Sequence, residues 1–391
     1  MERRDGVAAR LPVGGLVQRC LGAAEELIED VVSLTTEIAS IPAPTFEEAN
    51  RAAFLSRAMV GLGLPNVAVD DISNVTARIP GRDRSKSLVL AGHTDTVFPI
   101  DTPIVIERNG DRLHGPGIGD NSLGAAAAVM VPVLLDRLGI TPGVDLVVCG
   151  NVGEEGLGDL RGIRAVLDDN PDTASVIAIE GHNLGRVTHI AVGSKRFRVV
   201  VKGPGGHSWG DFGRPNAIHA AAELIHNLTR ISTPVVPKTT LTVGMIEGGI
   251  SVNTIAPEVT FLIDTRSVDD AWLNKTVNRI ERVLRDGVQG VKVSWEIIGN
   301  RPAGSVPTDS TIIYQAFDVI RQIGISPIAD ASSTDANVPI SRGIPAVCIG
   351  LTTGAHAHRV DEYIDIPPIA RGLAQLAALT VLVGDDLANS I

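Results

Sequence analysis

The sequence predicts an α/β protein in which a helix-covered sheet is interrupted by a smaller inserted domain. Three observations predict it. Apolar runs at 87–92, 144–149, 174–179 and 346–351 lack the alternation of a half-solvated strand, so they read as strands buried on both faces. The Ala-rich segments 123–138 and 370–383 supply covering helices. Residues 194–303 change character and follow the order β-α-β-β-α-β, the split βαβ (ferredoxin-like) pattern. The main domain is therefore discontinuous, built from 1–193 and 304–391 around the insertion at 194–303.

Each element has its own signal. Leu27, Val31, Leu34 and Ile38 recur at three- and four-residue spacing, which predicts one helix over 21–40, ended by Pro42 and Pro44. A second helix is predicted over 46–61. In the insertion, 197–201 reads as a strand and 215–229 as a helix with Pro near its first turn. Segments 239–246 and 259–265 alternate like half-buried strands, 269–285 reads as a helix and 291–297 as a strand.

Composition narrows the functional class. With 34 basic against 45 acidic side chains the net charge is −11, which disfavours nucleic acid as a partner. With 7 Phe, 3 Trp and 2 Tyr in 391 residues, the core must be aliphatic. The run 124–135 is too short for a membrane span, and 1–20 lacks the apolar stretch of a signal peptide. Three cysteines make no disulfide framework, so a reducing, cytoplasmic setting is expected, with Cys149 and Cys348 as small buried hydrophobes.

Acidic and histidine residues sit just past the apolar strands, where α/β sheets bind ligands: His93, Asp120, Glu154-Glu155, Glu180 and His358. Imidazoles mixed with carboxylates suit Zn²⁺, and equally Co²⁺ or Mn²⁺. In an extended segment His93 and Asp95 point the same way, so Asp95 could orient the imidazole. Asp120 reads either as a helix N-cap or as a carboxylate between two metals. Gly115, Gly117 and Gly119 fit a dinucleotide loop poorly, and Asp120 would repel a pyrophosphate. Glu154 and Glu155 directly follow an apolar strand, where a surface turn would explain one of them but not readily both. One can bind a metal while the other holds a water as general base. His182 competes with Glu180, and His356 with His358; spacing does not choose. His114, His189, His219 and His226 receive no role. In the insertion, the turn Gly203-Pro-Gly-Gly206-His207 lets backbone approach a ligand, Asn253 lies in a loop, and Arg266 ends a strand and suits a carboxylate. Taken singly, each of these has a plain structural reading.

The ordered set His93-Thr-Asp95, Gly119-Asp120-Asn121, Gly153-Glu154-Glu155-Gly156, Ile179-Glu180, Gly205-Gly206-His207-Ser208 and His358-x-x-x-Glu362-Tyr363 resembles the dinuclear zinc aminoacylase and exopeptidase family. That family includes glutamate carboxypeptidase, acetylornithine deacetylase, succinyl-diaminopimelate desuccinylase and peptidase T. The resemblance runs from about residue 25 onward and implies a zinc-exopeptidase-type catalytic domain with an inserted lid and dimerisation domain. It implies two divalent ions per chain: His93 and Glu180 on one, Glu155 and His358 on the other, with Asp120 bridging. In that family the last His stands four residues before a Glu, a pattern that implies His358 and not His356. Glu154 is implied as the base for a bridging water, and Asp95 as the residue that orients His93. His207 is implied as an oxyanion donor lent to the partner of a homodimer, with Asn253 and Arg266 on a substrate carboxylate. Many relatives carry Lys after the bridging Asp, in a segment like Asp-x-Lys-Gly; 120–123 holds none. The Gly-Glu-Glu-Gly-Leu-Gly segment leans towards the tripeptidase-like branch. The expected activity is cleavage of a small peptide, or alternatively of an N-acyl amino acid, beside a free amino acid. A non-catalytic metal-binding dimer would have been expected had Glu154 or a ligand been missing, and a nucleotide-dependent enzyme is disfavoured by Asp120.

Overall fold

Strand Asp83–His93 lies between two parallel neighbours in the larger sheet, Val144–Asn151 and Thr173–Leu184, in a computed structural model that describes residues 12–390. Ala346–Gly350 adds a further parallel strand beside Thr173–Leu184, and Val75–Ile79 pairs antiparallel with Val144–Asn151. All eight residues of Val144–Asn151 are buried, as expected for a strand covered on both faces. Register places His93 opposite Asn151, and Ile349 opposite Ile179. The carboxyl ends of these strands therefore share one edge.

Helix Leu123–Arg137 is buried on nearly every side, so its apolar character reflects a place in the core. Gly92 lets it approach the central strand closely: a Cβ on Gly92 would lie 2.6 Å from the Gly124 backbone. This contact sets the loop before the helix beside His93. Helix Ile369–Asn389 outruns its predicted 370–383. The single helix predicted over 21–40 is two, Val13–Glu26 and Ile28–Ala39, broken at buried Leu27. Neither Gly nor Pro marks that break, so the sequence carries no signal for it.

The chain separates into two compact units, Met1–His189 with Val306–Asp330 and Thr334–Ile391, and Ile190–Ser305 with Ala331–Ser333. The second unit is wider than the expected 194–303 because Val192 N–H donates to the Ser332 carbonyl at 2.8 Å. Its four antiparallel strands run in the spatial order Thr239–Gly248, Glu258–Ser267, Gly193–Lys202, Lys292–Arg301. Helices Ala217–Thr229 and Asp270–Asp286 complete β-α-β-β-α-β and share a core with the sheet that includes Phe197, Phe261, Leu224 and Ile280. Pro215 lies before the N-cap Asn216, outside the first turn. Strand Thr239–Gly248 departs from the expected alternation, since its second half, including Met245 and Ile246, is exposed on both faces.

Candidate metal centre

The loops beyond the strand ends are fastened by two buried carboxylates. The first is Asp95. Its Oδ1 accepts the Glu154 N–H at 2.9 Å, and its Oδ2 accepts the Glu155 N–H at 2.9 Å and the Thr45 hydroxyl at 2.8 Å. His93 Nδ1 lies 3.1 Å from the Asp95 carbonyl and 3.5 Å from its carboxylate. Asp95 thus meets His93 chiefly through its backbone, and its side chain fixes the Glu154-Glu155 turn. The spacing of His93 and Asp95 predicts only the contact with the imidazole; the hold on the turn is tertiary.

The second carboxylate is Glu362, to which the sequence assigns no role of its own. It is fully buried and accepts four donors: Gly117 N–H on Oε2 at 2.8 Å, and Gly119 N–H, Asp120 N–H and His182 Nε2 on Oε1 at 3.0, 2.8 and 2.7 Å. Burial raises its pKa despite the opposing pull of His182. The nearby His182 is therefore engaged with Glu362, not with the candidate ligands. Asn121 ties the same loop to the next strand, donating to the Ile179 carbonyl at 2.6 Å and accepting from Gly181 N–H at 3.0 Å. Gly181 is needed at that crossing, where a Cβ would lie 2.2 Å from the Gly119 oxygen.

These fastenings bring the candidate ligands together. Asp120 Oδ1 is 3.2 Å from His93 Nε2, and its Oδ2 is 3.0 Å from His358 Nε2. His358 Nε2 is also 3.0 Å from Glu155 Oε1, and Glu180 Oε2 is 3.8 Å from His93 Nε2. Asp120 is no N-cap: its backbone is non-helical and the α-helix begins at Leu123. Glu180 lies inside strand Thr173–Leu184, which runs past the predicted end. His356 sits apart, paired with Asp361 at 3.0 Å. Potential donor atoms of His93, Asp120 and Glu180 lie within 4.8 Å of one another, as do those of Asp120, Glu155 and His358, and those of His93, Glu154 and Glu155. One carboxylate facing an imidazole from each oxygen is a donor set that fits two divalent cations.

Without cations the cluster holds protons. Burial opposes a charge on His93, yet Asp120 and Asp95 outweigh it and raise its pKa well above the usual range. Asp120 and Glu155 push His358 up to about 10. Burial acts to raise Asp120, but His358 and His93 leave it lowered; burial raises Glu180 well above normal. Cations must displace these protons. The His358 proton stabilises the metal-free fold fully below pH 6.5, and that contribution is lost as pH rises through about 10. Metal affinity is accordingly expected to rise between pH 6 and 9, with proton release at pH 7. Calorimetry in buffers of different ionisation enthalpy checks this; a pH-independent affinity would contradict it.

In the second unit, strand Gly206–His207 pairs with Thr254–Ile255, and Ser208 N–H donates to the Asn253 carbonyl at 3.0 Å. His207 and Asn253 are thus neighbours. His207 Nδ1 accepts the Trp209 and Gly210 N–H groups at 3.2 Å each, which leaves the neutral ring's proton on Nε2. Arg266 is not with them. It stands opposite Ser194, its Nε donating to Asp264 at 2.8 Å.

The model of Peptidase family M20/M25/M40 matches residues 89–381. Succinyl-diaminopimelate desuccinylase of Corynebacterium glutamicum is 24% identical over 355 residues, covering 88% of this chain and 94% of that protein. In fold, the chain is similar to aminopeptidase PepT from Bacillus cereus, with TM-score 0.74, 20% identity, and coverage of 91% of this chain and 98% of that one. It is similar also to a tripeptidase from Staphylococcus aureus, with TM-score 0.75, 20% identity, and coverage of 92% and 99%.

Proposed function

Since the chain belongs to peptidase family M20/M25/M40 and is a metallohydrolase, we propose that it is an exopeptidase cleaving small peptides beside a free amino acid. The observation that carries the reading is Asp120, set between His93 and His358 with Glu154 and Glu155 fixed alongside. His93, Asp120 and Glu180 would hold one ion, and Asp120, Glu155 and His358 the other, with Zn²⁺ the proposed metal and Co²⁺ or Mn²⁺ as substitutes. Such ions, when bound, would supply Lewis-acid chemistry that activates a water and polarises the scissile carbonyl.

The chain's own residues do the rest. Glu154 takes the proton of the attacking water and returns it to the leaving amine. The Nε2–H of His207 stabilises the oxyanion. Arg266 of one chain and Asn253 lent by the other hold a substrate carboxylate. Eight steps of ~3.4 Å along Glu258–Ser267 put Arg266 about 27 Å from the His207 end of its unit. His207 and Arg266 of one chain therefore serve different sites, which a homodimer supplies. Exposed Trp209, Phe212, Met245, Ile250 and Val252 give the second unit apolar surface for such a contact. Three buried free cysteines fit a cytoplasmic setting.

An equimolar mixture of Glu154→Gln and His207→Ala chains, inactive separately, is expected to recover about a quarter of the wild-type rate after subunit exchange, the statistical share of intact sites. No recovery would overturn lending of His207 between subunits. The second reading, an N-acyl amino acid deacylase, is favoured by the desuccinylase relative. Rates on di- and tripeptides against N-acetyl and N-succinyl amino acids decide between the two.

A further inference from the structure

Beside Glu155 lies a cleft of about 340 Å³ that the steps above do not use, near the small end of the ~300–1,000 Å³ range of small-molecule sites. Thr45, Phe46, Val97, Phe98, Pro99 and Leu157 supply most of its walls. It is built onto the catalytic loop. Asp95 Oδ2 accepts both the Thr45 hydroxyl and the Glu155 N–H, so one wall and the metal-ligating turn hang on the same buried side chain. Leu157 stands two residues beyond Glu155 and is 44% exposed; Phe46 is 60% exposed. Phe46 is held at φ 82, a left-handed backbone conformation that a bulky residue rarely adopts, with the Arg161 guanidinium 5.0 Å from its ring centre. An aromatic ring kept in that conformation yet open to solvent is a surface shaped to be covered.

Charge decides what covers it. Glu155 is the one ionisable residue in the lining. Arg161, whose guanidinium faces the Phe46 ring, is paired with buried Glu48 at 2.7 Å. An acidic group seated among Phe46, Val97, Phe98, Pro99 and Leu157 would give up its water without gaining a charged partner from those walls. We propose that the cleft is a specificity subsite for an apolar side chain or acyl group, of leucyl or phenylalanyl type, next to the scissile amide, and that it disfavours acidic groups. The inference rests on the amide-hydrolase reading above.

The test is kcat/KM for dipeptides and N-acyl amino acids carrying Leu, Phe, Gly or Asp on either side of the amide. Wild type is compared with Phe46→Ala and Leu157→Asp, bound metal being counted in each. The expected result is a preference of wild type for Leu and Phe over Gly and Asp by about 10–100-fold, collapsing in both variants chiefly through KM while metal stays bound. Wild type that cleaves Gly or Asp substrates as well as Leu ones overturns the subsite and leaves the hydrolase reading standing. So does an undiminished preference in metal-loaded variants. Cleavage of nothing in the panel overturns the hydrolase reading, and the subsite with it.

Discussion

Glu154→Gln is expected to lower kcat by roughly 10²–10⁴-fold while the protein keeps its full complement of metal. The substitution removes the basic oxygen and preserves size. The Glu154 N–H still donates to Asp95, so the turn that presents Glu155 stays fixed. Because the lost interaction is made with the transferring proton, kcat and kcat/KM should fall together. Metal analysis alongside kinetics reads both quantities. A variant that loses metal as well as turnover would show Glu154 to be a ligand in its own right, an outcome its closeness to His93 and Glu155 makes worth measuring.

Glu362→Ala is expected to weaken metal binding by about 10–100-fold and to destabilise the metal-free protein, although Glu362 is not among the candidate ligands. The change leaves the N–H groups of Gly117, Gly119 and Asp120 without their buried acceptor, at about 1–3 kcal/mol for each orphaned donor. Asp120 would then lose the position from which it faces both imidazoles. Glu362→Gln separates fit from charge. A single amide oxygen can serve Gly119, Asp120 and His182 on one side, but its NH₂ then confronts the Gly117 N–H. Its metal affinity should fall between those of wild type and Glu362→Ala. Chelator competition measures the affinity, and thermal unfolding with and without metal measures the stability. Wild-type affinity in both variants would remove Glu362 from any part in the site.

The contrast between the two residues shows what the sequence makes legible. The parallel strands are visible because burial on both faces leaves unbroken apolar runs. The positions just past them draw attention because strand ends are where side chains converge. The inserted unit is visible because its period switches from strand to helix in a recognisable order. Glu362 is not visible in this way. Its partners are backbone N–H groups of a loop distant in sequence, and a carboxylate bonded to backbone asks nothing of the side chains near it. The choice between His356 and His358 is equally tertiary. Both adopt positive φ in one turn, and the fold sends one to Asp361 and the other to Asp120. Arg266 carried a local signal: Asp264, two residues earlier on the same strand face, is an ion-pair partner readable from spacing alone.

The interruption of the main sheet has a consequence for how the protein is made. Glu362 and His358 follow His93 by about 270 residues, and at ~5–20 residues per second the ribosome needs roughly 13–55 s to cover that distance. The inserted unit, with a core of its own, is fully synthesised within that interval. A nascent chain therefore displays His93, Asp120, Glu154 and Glu155 long before the last imidazole and the carboxylate that anchors Asp120 emerge. Tight loading with metal must wait until His358 and Glu362 have emerged, and a chain broken off within the inserted unit would lack the residues that close the centre.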